Sequence, residues 1–324
     1  MMLLGALTSV ALMTGIFASD DPFGVGSPAV GGSPAASTAW ASSAAGPASS
    51  GGSEAQSPDS PAGDFFANWA ATVERAKETQ PDWVPPLMTL SPLITQLLRW
   101  DSYYQNLGGG AHLLNLGANK GLFLVPTETN EVDIGIPSYE QRYGPNPASG
   151  LADYQFLLVK QRLLSAPASE GDYILTAALS GQAPIGAPAF TSRAYAVTPY
   201  LLGGKGFGNL DFQAATGLSI PTGREGTLGT TWATNLTAQY RVARILWPEA
   251  ELNWTHWFGG TQRAGLNQLF VTAGLIVAPI PITRDVKLTF GAGFQFAVAP
   301  GQIESPVPTP TYRNSFVFTG RVLF

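Results

Sequence analysis

From about Thr95 to the C-terminus, apolar and polar residues alternate with a period of two, the spacing of strands whose two faces differ. Between Asn235 and Val242, Leu236, Ala238, Tyr240 and Val242 share one face, and the opposite face is wholly polar. Between Val286 and Val298, Leu288, Phe290, Ala292, Phe294 and Phe296 oppose Lys287, Thr289, Gly291, Gly293, Gln295 and Ala297. The final stretch sets Phe316, Phe318, Gly320, Val322 and Phe324 against Ser315, Val317, Thr319, Arg321 and Leu323. Strands of about ten residues with this pattern are the signature of a transmembrane barrel. A soluble sandwich also alternates, but its outward face is charged. Here the polar face is mostly Gly, Ala, Ser, Thr and Gln.

Tight turns are expected near Thr127–Asn130, Pro167–Gly171, Lys205–Asn209, Ala243–Pro248 and Ile282–Asp285. Longer connections are expected around 140–152, 182–193, 221–230, 258–266 and 299–311. In such barrels short turns face the periplasm and long loops face outward. Parity then requires an upward strand before the first of these turns, and Leu97–Gln105 supplies it. The expected fold is all-β: a transmembrane antiparallel β-barrel of about twelve strands in an up-and-down meander, occupying 95–324.

Upstream the pattern changes. Residues 64–94 are expected to hold a short helix and a lead-in, with Asp64 as cap and Phe65, Phe66, Trp69, Val73 and Ala76 on one face. Pro81 ends the helix, which either plugs or docks, or simply covers the periplasmic rim. Of the 43 residues at 21–63, 34 are Ser, Ala, Gly or Pro, so 20–63 is expected to be a flexible, disordered linker. Residues 1–19 read as a signal peptide, although no Lys or Arg precedes the apolar core.

Composition narrows the class. Only 12% of the 324 residues are charged, against roughly a quarter in a soluble domain, while 11% are aromatic. This excludes wholesale disorder, and a net charge of -5 argues against a nucleic-acid partner. The absence of cysteine removes disulfides, thiolate metal sites and cysteine nucleophiles. Outside Met1–Ala18 no apolar run is long enough for a spanning helix. Expected partners are the outer-membrane lipid bilayer, small solutes, and the assembly machinery through the last strand ending at Phe324. Trp232, Trp257 and Phe258 are expected at the outer edge of the bilayer, and Trp247, Phe207 and Phe324 at the inner edge.

Sorting charges by strand face gathers thirteen on the inward, periplasmic side: Arg99, Asp101, Glu131, Asp133, Lys160, Arg162, Asp172, Asp211, Arg241, Glu249, Glu251, Lys287 and Arg321. Six are basic and seven acidic. Such a layer is either a lumen constriction that sets the field along a permeation path, or an ion-pair network that closes a narrow barrel. Above it small residues are expected to line the lumen: Gly135, Ala178, Ser180, Gly217, Ser219, Thr255 and Gly293.

No catalytic residue, metal site or cofactor is expected. His112 and His256 are the only histidines, and His256 lies in the aromatic run Trp254-Thr255-His256-Trp257. Gly204-Lys205-Gly206-Phe207-Gly208 lacks the spacing of a phosphate loop and reads as a hairpin turn.

Several short stretches together resemble an outer-membrane transporter family grouped under the name MetA-pathway of phenol degradation. They include Gln80-Pro81-Asp82-Trp83, Pro86-Leu87, Gly121-Leu122, Pro126-Thr127-Glu128, Arg162-Leu163-Leu164-Ser165, Thr198-Pro199 and Gly204-Lys205-Gly206-Phe207-Gly208. Pro221-Thr222-Gly223, Gln239-Tyr240-Arg241, Trp247-Pro248-Glu249 and Gly291-Ala292-Gly293-Phe294-Gln295 continue the series. The resemblance implies a passive outer-membrane channel or transporter for small solutes, aromatic or hydrophobic ones among them. Phe123 departs from it, since an acidic residue is expected there. The other function considered is a structural or adhesion barrel with a sealed lumen.

Overall fold

A computed structural model of the chain describes residues 61–260, 263–300 and 311–324. The expected signal peptide and almost all of the linker lie outside them. Residues 61–68 belong to one unit and 69 onward to another.

The strands are β1 (Leu97–Gly108), β2 (Ala111–Gly117), β3 (Gly121–Thr127), β4 (Asn130–Gly135), β5 (Tyr139–Tyr143), β6 (Ala148–Leu151) and β7 (Tyr154–Ala166). They continue as β8 (Tyr173–Ala183), β9 (Ala196–Phe207), β10 (Leu210–Pro221), β11 (Thr231–Tyr240), β12 (Leu246–Trp257), β13 (Asn267–Pro281), β14 (Lys287–Ala299) and β15 (Asn314–Leu323). All pair antiparallel in one sheet, and β15 pairs with β1 to close it. β2 and β3, β4 and β5, and β6 and β7 are successive halves of three barrel strands. The barrel therefore has twelve. An even number of strands, an apolar outer wall, and a first and last strand that meet at the short-turn end are features of bacterial outer-membrane barrels.

The alternation sorts as expected. On β15, Ser315, Val317, Thr319 and Arg321 are buried, whereas Phe316 and Phe318 are 62% and 48% exposed. A closed sheet in lipid satisfies its main-chain groups between strands, so the outward side chains can be wholly apolar.

Several local expectations shift. Helix α1 runs Pro61–Glu78, so Asp64 lies in its first turn rather than at its cap; proline is well suited to a helix start. Of its expected apolar face, Val73 and Ala76 are buried, while Phe65 and Phe66 are exposed. The connection expected at 140–152 is largely the β5–β6 hairpin, leaving 144–147 as the turn. β9 extends to Phe207 and β12 begins at Leu246, so both turns are shorter than expected. Trp247 and Trp257 are buried on the inward face of β12, not placed at the bilayer edges. The outward edge cluster is instead Trp232, Trp254, His256 and Phe258. Trp232 stands edge-on to Trp254 at 5.3 Å, and His256 stands edge-on to Phe258 at 4.7 Å.

Candidate functional site in the barrel lumen

The lead-in between α1 and β1 is a loop inside the barrel. Its neck is closed by Gln80, whose side-chain amide donates to Ile94 O at 2.8 Å and whose Oε1 accepts from Ile94 N at 2.9 Å. Val84, Leu87, Met88, Leu90, Leu93 and Ile94 are all buried. Val84, Leu87 and Met88 pack against inward residues that include Tyr103, Trp247, Ile276 and Val317, Leu90 packs against Leu158, Tyr200 and Leu202, and Ile94 packs with Val73, Ala76 and Val125.

A chain segment in a lumen must satisfy its own main chain, and the charged layer does this. Pro85 and Pro86 have no N–H and offer only carbonyls. Arg321 donates to both, reaching Pro86 O at 2.9 Å. Arg99 donates to Leu87 O at 2.6 Å. The next three N–H groups go to one pair of carboxylates: Leu87 N to Glu249 at 3.0 Å, Met88 N to Glu251 at 2.8 Å and Thr89 N to Glu251 at 2.7 Å. On the return limb Thr176 donates to Pro92 O at 2.6 Å and Lys160 to Leu93 O at 3.2 Å, and Glu131 accepts from Thr95 N. Gln213 donates to Val84 O at 3.0 Å, and Thr237 bonds the Thr89 hydroxyl at 2.6 Å. These partners lie on β1, β4, β7, β8, β10, β11, β12 and β15, on every side of the lumen.

Two side chains of the loop sit on glycines of the wall. A Cβ at Gly274, Gly293 or Gly291 would lie 2.4, 2.7 or 2.9 Å from the Leu87 methyl groups. On the opposite wall a Cβ at Gly204 would lie 2.5 Å from the Trp83 ring. Glycine at these positions is what admits the loop.

Of the thirteen charged positions, eleven are buried and inward; Arg241 is half-buried and Lys287 is exposed at the rim. Close ion pairs within the set are few: Arg99 with Asp101 at 2.8 Å and Lys160 with Glu131 at 2.5 Å. Arg241 meets Asp82 at 3.4 Å, and Arg162 binds the C-terminal end of α1 through Ala76 O at 2.8 Å. Asp211 accepts from Gln213 at 3.1 Å. Asp133 and Asp172 are buried with no direct bond to the loop. Phe123, which takes the place of an expected acid, lies 5.9 Å below the Lys160 ammonium, a cation–π contact in place of an ion pair.

Above the loop the lumen wall is more polar than expected. Asn253 accepts from Thr272 at 3.0 Å and donates to Asn235 at 2.8 Å, and Gln295 donates to Thr272 at 2.9 Å. Gly293, expected in this outer half, lies lower, at the level of Leu87. Tyr312 stacks on Phe270 at 4.4 Å and donates to Gln295; burial raises the affinity of its hydroxyl for the proton it donates. Neither histidine adjoins a serine–carboxylate pair in these contacts: His112 stacks on Tyr104 at 5.4 Å, and His256 Nδ1 lies 3.0 Å from Asn267 Oδ1. The described residues contain no cluster of His, Cys, Asp and Glu suited to a metal ion.

Gln80, Thr176, Gln213, Thr237, Gly204, Gly274 and Gly291 were not identified from sequence as site residues, and Gly293 was expected only as lumen lining. Their signal was weak: uncharged side chains opposite a Pro-Pro-Leu segment whose path the period-two pattern does not address.

No family model matches the chain, and no curated protein matches it. Among solved structures it is similar to the NanC porin, with 10% identity over 70% of this chain and 98% of that one, at a TM-score of 0.44. It is also similar to an outer-membrane channel from Pseudomonas putida F1, with 15% identity over 72% and 97% and a TM-score of 0.45. A third is OmpF of Salmonella typhi in complex with daunomycin, with 10% identity over 71% and 98% and a TM-score of 0.33.

Proposed function

We propose that this protein is a non-enzymatic outer-membrane passage for small solutes, and that the loop 80–94 is its closed gate. The observation that carries this reading is the way the loop is held. The wall charges bond chiefly to its main chain and leave only a few pairs among themselves, so the loop can detach as a unit while those pairs persist. On this reading the thirteen-residue layer is the lumen's constriction. The sequence resemblance to the MetA-pathway type supports aromatic or other small hydrophobic compounds as cargo.

A second reading, a structural or adhesion barrel with a sealed lumen, is favoured by the double pin of Gln80 on Ile94 and by the continuity of the loop with β1. A reversible lock separates the two. The chain has no cysteine, and the Thr89 and Thr237 hydroxyls lie 2.6 Å apart, so Thr89→Cys/Thr237→Cys places two sulfurs within bonding reach. Conductance in planar bilayers when reduced, and its loss when oxidised, is the expected result. No conductance in either state favours the sealed barrel; equal conductance in both shows that the loop is not the gate.

A further inference from the structure

Where the loop bends over 87–89, its two kinds of main-chain group go to different walls of the lumen. The N–H groups of Leu87, Met88 and Thr89 go to Glu249 and Glu251 on β12. The carbonyls of Pro85, Pro86 and Leu87 go to Arg321 on β15 and Arg99 on β1. In the sheet β13 and β14 lie between these walls, and their Gly274, Gly291 and Gly293 seat the Leu87 side chain. The result is a trough, with acceptors along one side, donors along the other, and a floor that admits one branched aliphatic side chain.

Each charged side chain of the trough is also held by a neighbour in the barrel wall. Gln239 donates to the second oxygen of Glu249 at 2.6 Å, and the Thr237 hydroxyl lies 3.2 Å from Glu251. Arg99 pairs with Asp101 at 2.8 Å. Arg321 Nε donates at 3.2 Å to the Thr319 hydroxyl, which itself donates to Asp101. These supports lie on β11, β1 and β15, so the four charges keep their directions when the loop leaves. Emptied, the trough presents two carboxylates and two guanidiniums short of the partners that buried charges require. An aromatic hydrocarbon supplies neither donors nor acceptors. A peptide supplies both on almost every residue, and groups already held in place bind it with less ordering cost.

We infer that this trough is a binding site for short uncharged peptides carrying a branched aliphatic residue, seated where Pro85 to Thr89 now lie. The inference adds a class of solute to the passage reading and rests on it for a trough that empties. The probe is the peptide Pro-Pro-Leu-Met-Thr, blocked at both ends and carrying an uncharged fluorophore, read by fluorescence anisotropy with the full chain in neutral detergent. Leu87→Asp unseats the loop, since a carboxylate has no partner on the glycine floor beside Glu249, and it leaves every wall residue in place. This variant is expected to bind the probe at least tenfold more tightly than wild type, in which the tethered loop competes. Methylating the leucine, methionine and threonine amide nitrogens of the probe removes the three donors and keeps the side chains, and binding is expected to weaken at least tenfold. Equal binding of the methylated probe assigns the trough to apolar contact alone and overturns the inference. So does absence of binding by a Leu87→Asp chain with wild-type heat-modifiable gel mobility. If that variant does not fold, Gln80→Leu decides: millimolar unlabelled peptide is expected to speed amide exchange at Met88 and Thr89 several-fold, and an unchanged rate overturns the inference. Probe binding without conductance in planar bilayers instead removes the passage reading and leaves the peptide site standing.

Discussion

Thr89 donates to Glu251 twice, through its main-chain N–H at 2.7 Å and through its hydroxyl. The same carboxylate takes the N–H of Met88. One side chain of β12 thus fixes the turn of a loop that lies 162 residues earlier in the chain. Glu251→Ala leaves two buried N–H groups without an acceptor, at about 1–3 kcal/mol each. Amide hydrogen exchange at Met88 and Thr89 is expected to accelerate while exchange in β11 and β12 holds, and unchanged protection would show that Glu251 does not retain the loop.

The glycine seat makes a prediction of opposite shape. Gly293→Val fills the space of the Leu87 methyl groups, and the neighbouring main chain of β13 cannot retreat. The loop is expected to leave the lumen and become sensitive to protease near Leu87, and Leu87→Ala is expected to restore its protection in the double variant. Leu87→Ala alone removes a fully buried side chain and costs about 2–5 kcal/mol, read in loop protection.

At the neck, Gln80→Leu keeps the volume and removes both bonds to Ile94. Two buried groups of Ile94 lose their partners, at about 1–3 kcal/mol each. Open-state bursts in single-channel records are expected to lengthen several-fold; a record identical to wild type would remove the pin from the account.

The outer wall can be tested apart from the lumen. Phe318 is 48% exposed near the middle of β15, so Phe318→Arg places a charge in lipid at about 2–4 kcal/mol. Urea unfolding from vesicles measures this cost directly. Substitution of its inward neighbour, Val317→Thr, faces no lipid and is expected to leave vesicle insertion unchanged.

The barrel was legible in the sequence because lipid imposes the same rule on every strand. Phe316 and Phe318 read as outward, and Ser315 and Arg321 as inward, from alternation alone. Trp247 shares strand parity with Glu249 and Glu251, so the alternation alone already set it inward; the preference of tryptophan for bilayer edges pointed the other way. The structure decides for parity: the ring is buried against Val84, Leu87 and Met88, with the Arg241 guanidinium 5.2 Å over it. The breaks between β2 and β3 and between β4 and β5 escaped the pattern, because a short kink preserves the alternation on both sides.

The charged layer shows where each source of information ends. Face parity alone collected Arg99, Glu249, Glu251 and Arg321 in one stratum, since an inward side chain is inward whatever it binds. Parity could not say what these charges hold. Their partners are carbonyls of Pro85 to Leu87 and N–H groups of Leu87 to Thr89, main-chain groups that carry almost no mark of residue type. Strand pattern is a local property and was fixed by the solvent on each side of the wall. The path of the loop is a long-range property, decided by glycines of β13 and β14 that make room for Leu87 and by charges that require a main chain to bond.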